Sequence, residues 1–161
     1  MGPYIIDFEA FQHGDEQFKI KELCVLDVDR PLAPLYVLYE ADRSWDSLTS
    51  SEQKTYSYQR RHVHHLGWKK GDRRYCPVCL LHYIMRDFPL CRNSIFYVMG
   101  EQKLKFLQQQ LPKLNFCEYN IVFEQLPPIA HNISCFHRNH GEHCACLKCY
   151  RLYTHYITLP M

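Results

Sequence analysis

The last third of the chain concentrates residues that can bind a metal ion. One residue separates Cys135 from His137, and three more cysteines follow at Cys144, Cys146 and Cys149. Thiolates and imidazoles are ligands that Zn²⁺ selects, and a loop pair followed by a pair on a helix can close a tetrahedral shell. We therefore predict a structural zinc site in this segment.

A second cysteine pair, Cys76 and Cys79, has the Cys-x-x-Cys spacing that supplies half of many zinc sites. His64 and His82 could complete a second metal site there. The alternative is that both thiols are buried and pack as small hydrophobic groups. The sequence leaves both interpretations open.

Two carboxylates, Asp7 and Glu9, lie two positions apart in a predicted strand. Alternate residues of a strand share a face, so the pair could bind Mg²⁺ or Mn²⁺ in two-metal phosphoryl chemistry. The spacing resembles the first motif of the DEDD exonucleases, the DnaQ-like group, for which Glu101 and His143 could complete the site. However, lysines occupy positions of the later helices where that group has metal ligands. The alternative is a strand edge that faces solvent.

A basic segment interleaved with aromatic residues lies between residues 60 and 75. This mixture can combine phosphate contacts with base stacking, although a charge run can also be a solvated loop. The candidate nucleic-acid-binding residues are Arg60, Arg61, His65, Trp68, Lys69, Lys70, Arg73, Arg74 and Tyr75.

Length and composition indicate one globular domain, residues 1–161, with 47% hydrophobic and 22% charged side chains and a net charge of +2. The nine cysteines are an odd number and no charged-then-apolar leader precedes them, so we expect reduced thiols in the nucleus, the cytoplasm or both. No apolar run approaches the roughly 20 residues that a membrane helix needs, so no membrane partner is expected.

The elements that must position these residues follow from periodicity and turn residues. Residues 4–10 and 18–28 predict an antiparallel hairpin, and residues 35–39 predict a third strand. A helix is predicted at about 47–61, with Ser50 and Gln53 as a capping box. The further predicted elements are a helix from about Tyr75 to before Pro89, a strand at 94–99 buried on both faces, a helix at 101–110, a strand at 120–124 and a helix at 144–156. This order predicts an α/β fold with a mixed sheet flanked by helices, as in the ribonuclease H-like exonucleases.

The order of motifs also resembles the Maelstrom domain and related arthropod proteins. In that family a DnaQ-like exonuclease fold lacks the catalytic carboxylates and binds one zinc through a Glu-Cys-His-Cys set. Residues 18–25 match the strand that carries the glutamate, Cys135 and His137 the loop pair, and residues 144–150 the closing helix. Residues 65–72 resemble a His-Gly-x-x-Trp-x-x-Gly-Asp segment.

The resemblance implies that Glu22, Cys135, His137 and Cys144 bind a structural Zn²⁺. The loop pair is one residue shorter than the family spacing, so His140 is an alternate ligand, and Cys149 is a second alternate. The resemblance also implies a role in small-RNA silencing of transposons, of the piRNA type, although the HMG box of Maelstrom does not precede the module.

Three functions follow from these patterns. The first is a non-catalytic, zinc-stabilised module that binds single-stranded RNA or a silencing-pathway protein, as a monomer or as a subunit of a complex. The second is a metal-dependent ribonuclease or 3'-5' exonuclease that uses Asp7 and Glu9. The third is a zinc-binding adaptor for protein interactions.

Overall fold

A six-stranded mixed sheet forms the centre of the protein in a computed structural model that describes residues 2–121, 123–128 and 144–159. The strands are β1 (Tyr4–Phe11), β2 (Lys19–Asp27), β3 (Arg30–Glu40), β4 (Arg73–Arg74), β5 (Ile95–Val98) and β6 (Asn115–Glu118). Their order across the sheet is β4-β3-β2-β1-β5-β6. The pairs β1–β2 and β2–β3 are antiparallel, whereas β5 is parallel to β1 and β6 is parallel to β5.

Within the described ranges, four α-helices accompany this sheet: α1 (Ser50–Gln59), α2 (Pro77–Asp87), α3 (Glu101–Gln110) and α4 (Ala145–Thr158). The predicted α/β class with a mixed sheet is confirmed. The hairpin, the helix at 101–110 and the closing helix agree with the prediction to within two residues. The hairpin turn contains Gly14 at φ 57°, a conformation that glycine adopts without a steric penalty.

The two faces of the sheet are covered by different helices. On one face, Ile6 and Phe8 of β1 pack with Ile84 of α2 and with Phe106 and Leu107 of α3. The other face packs against α4 through a second cluster that includes Ile5, Cys24 and Leu26. Because alternate residues of a strand point to opposite faces, the residues of β1 divide between these two clusters.

A third, smaller cluster lies beyond the carboxyl end of β1. Phe11 packs there with Leu48, Tyr56 and Trp68, so that α1 and the segment after it are held against the sheet. The helix begins with a capping box, but Thr49 and Glu52 form it instead of the predicted Ser50 and Gln53. The capping box therefore lies one residue earlier than predicted, whereas the helix itself begins at Ser50, about three residues later than predicted.

Two strand predictions were incorrect. The last strand is Asn115–Glu118, and the predicted strand at 120–124 is replaced in part by a short 3-10 turn at Phe123–Gln125. The true strand lies at the sheet edge and alternates exposed with half-buried residues, so it lacks the apolar run expected of a strand. In β5, Ile95 is 45% exposed, so the prediction of burial on both faces does not hold there.

Candidate functional site

The first turn of α4 docks on a buried glutamate of β2. Glu22 has no solvent-exposed surface, and its Oε1 accepts a hydrogen bond from the backbone N–H of Ala145 at 2.7 Å. Its Oε2 accepts a hydrogen bond from the Tyr36 hydroxyl at 2.6 Å and lies 3.8 Å from Cys144 Sγ. Residues separated by 122 positions in the chain thus bring a carboxylate and a thiol together in the interior.

This pair fits half of the predicted zinc shell. A carboxylate oxygen and a cysteine sulfur are both accepted ligands of Zn²⁺, and both are buried here. Cys135, His137 and the alternate His140 lie outside the described residues. Within the described ranges, no three His, Cys, Asp or Glu side chains lie close enough together to hold a metal ion.

The alternate ligand Cys149 has a different neighbour. Its thiol donates to the backbone carbonyl of Cys24 at 3.5 Å. Cys24 lies two residues after Glu22 in β2. Hydrogen bonding with Cys146 and Cys149, together with burial, raises the pKa of the Cys24 thiol well above its usual range. Cys24 is therefore a protonated thiol that packs in the core. Sequence reasoning missed Cys24 because a lone cysteine in an apolar strand carries no spacing signal.

The carboxylates of the first strand are each paired with a lysine. Lys103 of α3 donates to Asp7 Oδ1 at 2.8 Å and to the carbonyl of Phe8 at 2.6 Å, and Lys148 of α4 donates to Glu9 Oε1 at 2.5 Å. Asp7 and Glu9 are 3% and 5% exposed. The alternative of a solvent-facing strand edge was incorrect, because β1 lies between β2 and β5.

Burial and charge act in opposite directions at this position. Burial raises the pKa of Asp7, and the nearby lysines only partly offset this effect. Burial opposes the charge of Lys103, but Asp7 and Glu9 outweigh it and raise the pKa of the ammonium group. The ammonium groups of Lys103 and Lys148 therefore occupy positions beside the carboxylates that a catalytic metal ion would need.

Glu101, a further residue of the nuclease alternative, does not join this pair. Glu101 is exposed and forms an ion pair with Lys105 on its own helix at 3.0 Å. His143 lies outside the described residues. The lysines in α3 and α4 were the sequence signal that argued against a nuclease site.

The cations of the basic segment are exposed on the surface. A π-helical turn at Arg60–His64 continues α1, and His65 ends it in the left-handed conformation at φ 58°. Two arginines further along are engaged: Arg74 pairs with Glu40 at 3.0 Å, and Arg73 lies over the Tyr83 ring at 4.6 Å. The exposed candidates are Arg60, Arg61, His65, Lys69, Lys70, Arg73 and Arg74.

The two aromatic candidates are not free on the surface, which corrects their expected role as exposed stacking residues. Trp68 is 5% exposed, stacks on Tyr56 at 5.2 Å between ring centroids and donates from Nε1 to the carbonyl of Arg43 at 2.8 Å. Tyr75 is half-buried, and its hydroxyl donates to Gln110 at 2.8 Å. Burial raises the pKa of the Tyr75 hydroxyl, which keeps it a neutral donor.

A cavity of about 430 Å³ opens between α1 and the segment that carries Trp68. Its walls are aromatic and its other lining residues include three of the exposed cations. The lining residues are Phe11, Trp45, Asp46, Tyr56, Ser57, Arg60, Gly67, Trp68, Lys69 and Lys70. No sequence pattern predicted this cavity, because Trp45 and Tyr56 lie outside the basic segment.

A buried lysine fixes one wall of that cavity. Lys21 is 1% exposed, and its ammonium donates to the carbonyls of Trp68 at 2.8 Å, Lys70 at 2.7 Å and Tyr39. An ammonium group has three N–H donors, so all three are used. Burial lowers the pKa of Lys21 to about 8. The segment from Trp68 to Lys70 is thereby attached to the sheet.

The predicted second metal site is not assembled. Cys76 caps α2, where its Sγ accepts from the backbone N–H of Cys79 at 3.2 Å. The hydrogen bond with the Cys79 thiol and then this backbone contact lower the pKa of Cys76. His82 is exposed beside Tyr83, but His64 is buried against Phe11, with ring centroids 4.5 Å apart. His64 therefore belongs to the third cluster, and its Nδ1 accepts from the N–H of Leu66 at 3.0 Å.

Comparison with known proteins identifies no family for this chain. No protein-family model matches it, and no curated protein matches it at a significant level. Among the described residues, no helix is both long enough and apolar enough to cross a membrane. The functional conclusion therefore depends on the geometry described above.

Proposed function

We propose that this protein is a non-catalytic, zinc-stabilised module with a ribonuclease H-like fold that binds single-stranded RNA through its basic segment. The strand arrangement supports the fold: three antiparallel strands are followed by two strands parallel to the first, with helices between them. The resemblance to the Maelstrom domain supports a role in small-RNA silencing.

The absence of nuclease catalysis is proposed from the lysine pairs. Two-metal phosphoryl transfer needs convergent carboxylates that are available to two cations. Here the ammonium groups of Lys103 and Lys148 contact Asp7 and Glu9 directly. A divalent ion would have to displace both lysines, and like charges would oppose its entry.

Zn²⁺ would be held by Glu22, Cys144, Cys135 and either His137 or His140. A shell closed by four protein ligands leaves no position for an activated water, so the metal would stabilise the fold. The convergence of Glu22 and Cys144 at 3.8 Å supports this assignment.

The observation that carries RNA binding is a cavity lined by aromatic side chains and by exposed cations. Among the described residues, Arg60, Lys69 and Lys70 form no ion pair, unlike Arg43 and Arg74. Cations that are not neutralised within the protein are available to phosphates, and their counterions are released on binding. Arg61 extends this group along the same turn.

The test is RNA affinity across a range of salt concentrations. We expect the fourfold change of Arg60, Arg61, Lys69 and Lys70 to glutamine to weaken binding of a single-stranded RNA. If each cation contacts one phosphate, the slope of log affinity against log salt should fall by about 3.

A matched control removes the same charge elsewhere. Changing Arg30, Lys54, Arg92 and Lys113, which are exposed and form no ion pair among the described residues, to glutamine also lowers the net charge from +2 to −2. This control should change the slope little. Equal losses in both variants would reject the surface assignment, and absence of RNA binding by the wild type would favour the adaptor function. RNA cleavage that Asp7→Asn abolishes would favour the nuclease.

A further inference from the structure

We infer that the cavity between α1 and residues 67–70 binds one unstacked RNA base together with its adjacent phosphates. This inference rests on the proposed RNA-binding function and names the part of the nucleotide that the site takes.

The cavity has the size and lining of a small-ligand site. Its volume of about 430 Å³ lies within the range of roughly 300 to 1,000 Å³ typical of ligand pockets. Trp45 and Trp68 line the cavity, and Tyr56, which has no exposed surface, supports Trp68 through their ring stack. Trp45 is half-buried and meets Trp68 at 5.9 Å with an interplanar angle of 68°, so the two indoles form a corner.

The aromatic walls are fixed before any ligand arrives. Trp68 is held by its stack on Tyr56 and by its N–H bond to the Arg43 carbonyl, and Lys21 anchors the backbone on both sides of Lys69. A site that is already ordered loses less conformational entropy on binding. Trp45 is the half-buried member of the three, and it offers the ring on which a base can stack.

The charges at the edge match a nucleotide better than an apolar ligand or a simple anion. Arg60, Lys69 and Lys70 can contact phosphates, whereas Asp46 is an acceptor that would repel an anion placed beside it. A base carries N–H donors on its edge, and a carboxylate accepts from such donors. With the base in the cavity and the phosphates outside it, Asp46 can accept from the base while the cations contact the phosphates.

The two tryptophans of the chain, Trp45 and Trp68, both line this cavity, so intrinsic tryptophan fluorescence reports on it alone. The experiment titrates the full chain with a single-stranded RNA decamer and with an abasic decamer that keeps the phosphates. Fluorescence anisotropy of end-labelled RNA reports total binding in the same samples. We expect the intact RNA to quench tryptophan emission and the abasic RNA to bind more weakly without quenching.

Variants separate stacking from surface attraction. Trp45→Ala should weaken binding of the intact RNA by about 5- to 150-fold, the value expected for one stacked base, and Trp45→Phe should recover most of it. Tyr58→Ala removes an aromatic ring that is 62% exposed and lies outside the cavity lining, so it should leave affinity unchanged.

The outcomes distinguish this inference from the function on which it rests. If anisotropy shows RNA binding but tryptophan emission does not change and abasic RNA binds equally well, the cavity inference is overturned while the basic surface remains. If neither RNA binds at physiological salt, the proposed function itself fails. The wild-type quenching experiment does not depend on whether any variant folds.

Discussion

The neighbouring strands β1 and β2 both present carboxylates to the face of the sheet covered by α4, but these carboxylates have different contact partners. On β1, Asp7 and Glu9 each contact a lysine ammonium. On β2, Glu22 contacts a tyrosine hydroxyl, a backbone N–H and the thiol of Cys144. Glu9 and Glu22 are direct partners in the β1–β2 register, so the two environments lie side by side.

This difference indicates what each position can accept. A lysine is a fixed cation that neutralises a buried carboxylate and leaves little reason for a metal ion to enter. A thiol beside a carboxylate is a mixed soft and hard ligand pair, and Zn²⁺ accepts both. On β1, the strand that resembles a nuclease motif, lysines therefore pair with the carboxylates, whereas the adjacent strand β2 carries the candidate metal ligand Glu22.

The largest expected effect follows from removing a proposed zinc ligand. Glu22→Ala and Cys144→Ala should both lose the bound zinc, about one ion per chain in the wild type, as measured by elemental analysis of the purified protein. Apparent zinc-binding free energies of about 10 to 16 kcal/mol become folding free energy in small zinc domains. This equals the whole stability of a typical domain, about 5 to 15 kcal/mol, so both variants should also unfold.

Cys91→Ala is the matched control for this experiment. Cys91 is a fully buried cysteine of the cluster on the opposite face of the sheet, and burial raises its pKa, so it is a neutral thiol. This variant should keep its zinc. A wild type without zinc, or zinc retained in Glu22→Ala, would contradict the difference between the two strands.

The second largest expected effect is the loss of stability when the ion pair between Lys148 and Glu9 is broken. Lys148→Met leaves Glu9 buried without this ammonium partner, and breaking a buried ion pair in this way costs about 3 to 5 kcal/mol. The free energy of unfolding by urea should fall by that amount.

The double variant Lys148→Met, Glu9→Gln supplies the control for that measurement. It removes both charges while keeping similar side-chain shapes, and replacing a buried pair by uncharged groups is often close to neutral. The double variant should therefore recover most of the stability lost in Lys148→Met. If both variants are equally unstable, the stability that Lys148 contributes does not depend on the charge of Glu9.

The sequence predicted the fold class well because the fold depends on periodicity. Alternation in β1 and β2 and the helical spacing after Gly100 each specify an element within a single stretch of chain. The edge strand β6 was missed for the same reason, since a half-exposed strand does not produce an apolar run. Capping at Thr49 was off by one residue because several Ser, Thr and Gln candidates are adjacent in this segment.

The candidate sites could be predicted only where a motif is local or where a resemblance supplied the distant residue. The basic segment and the Asp7-x-Glu9 spacing are local, but the cavity combines Trp45, Tyr56 and Trp68 from three places in the chain. Burial of Trp68 depends on Phe11 and Tyr56, which no composition argument identifies. Cys24 of β2 contacts the cysteines of α4 because α4 docks on the sheet, and residue spacing does not predict such a tertiary contact.

The smallest expected effect is a pH dependence that Asp7 contributes. Its pKa is raised above the usual value of about 3.9 by burial, so the folded protein holds this proton more tightly than the unfolded chain does. Stability contributed by this group is therefore fully present below pH 3.9 and is lost as the pH rises through the folded-state pKa. Asp7→Asn cannot titrate, so the free energy of unfolding of the wild type relative to this variant should fall across that window.

Measuring urea unfolding of both proteins at closely spaced pH values checks this difference. Asp72→Asn removes the same charge at an exposed position, so it reports the effect of net charge alone. A wild-type curve that instead rises relative to Asp7→Asn with increasing pH would mean that Lys103 outweighs burial and lowers the pKa of Asp7. The two strands would then still differ in their partners, but β1 would hold a stabilised carboxylate of the kind that a metal ion could share with the lysine.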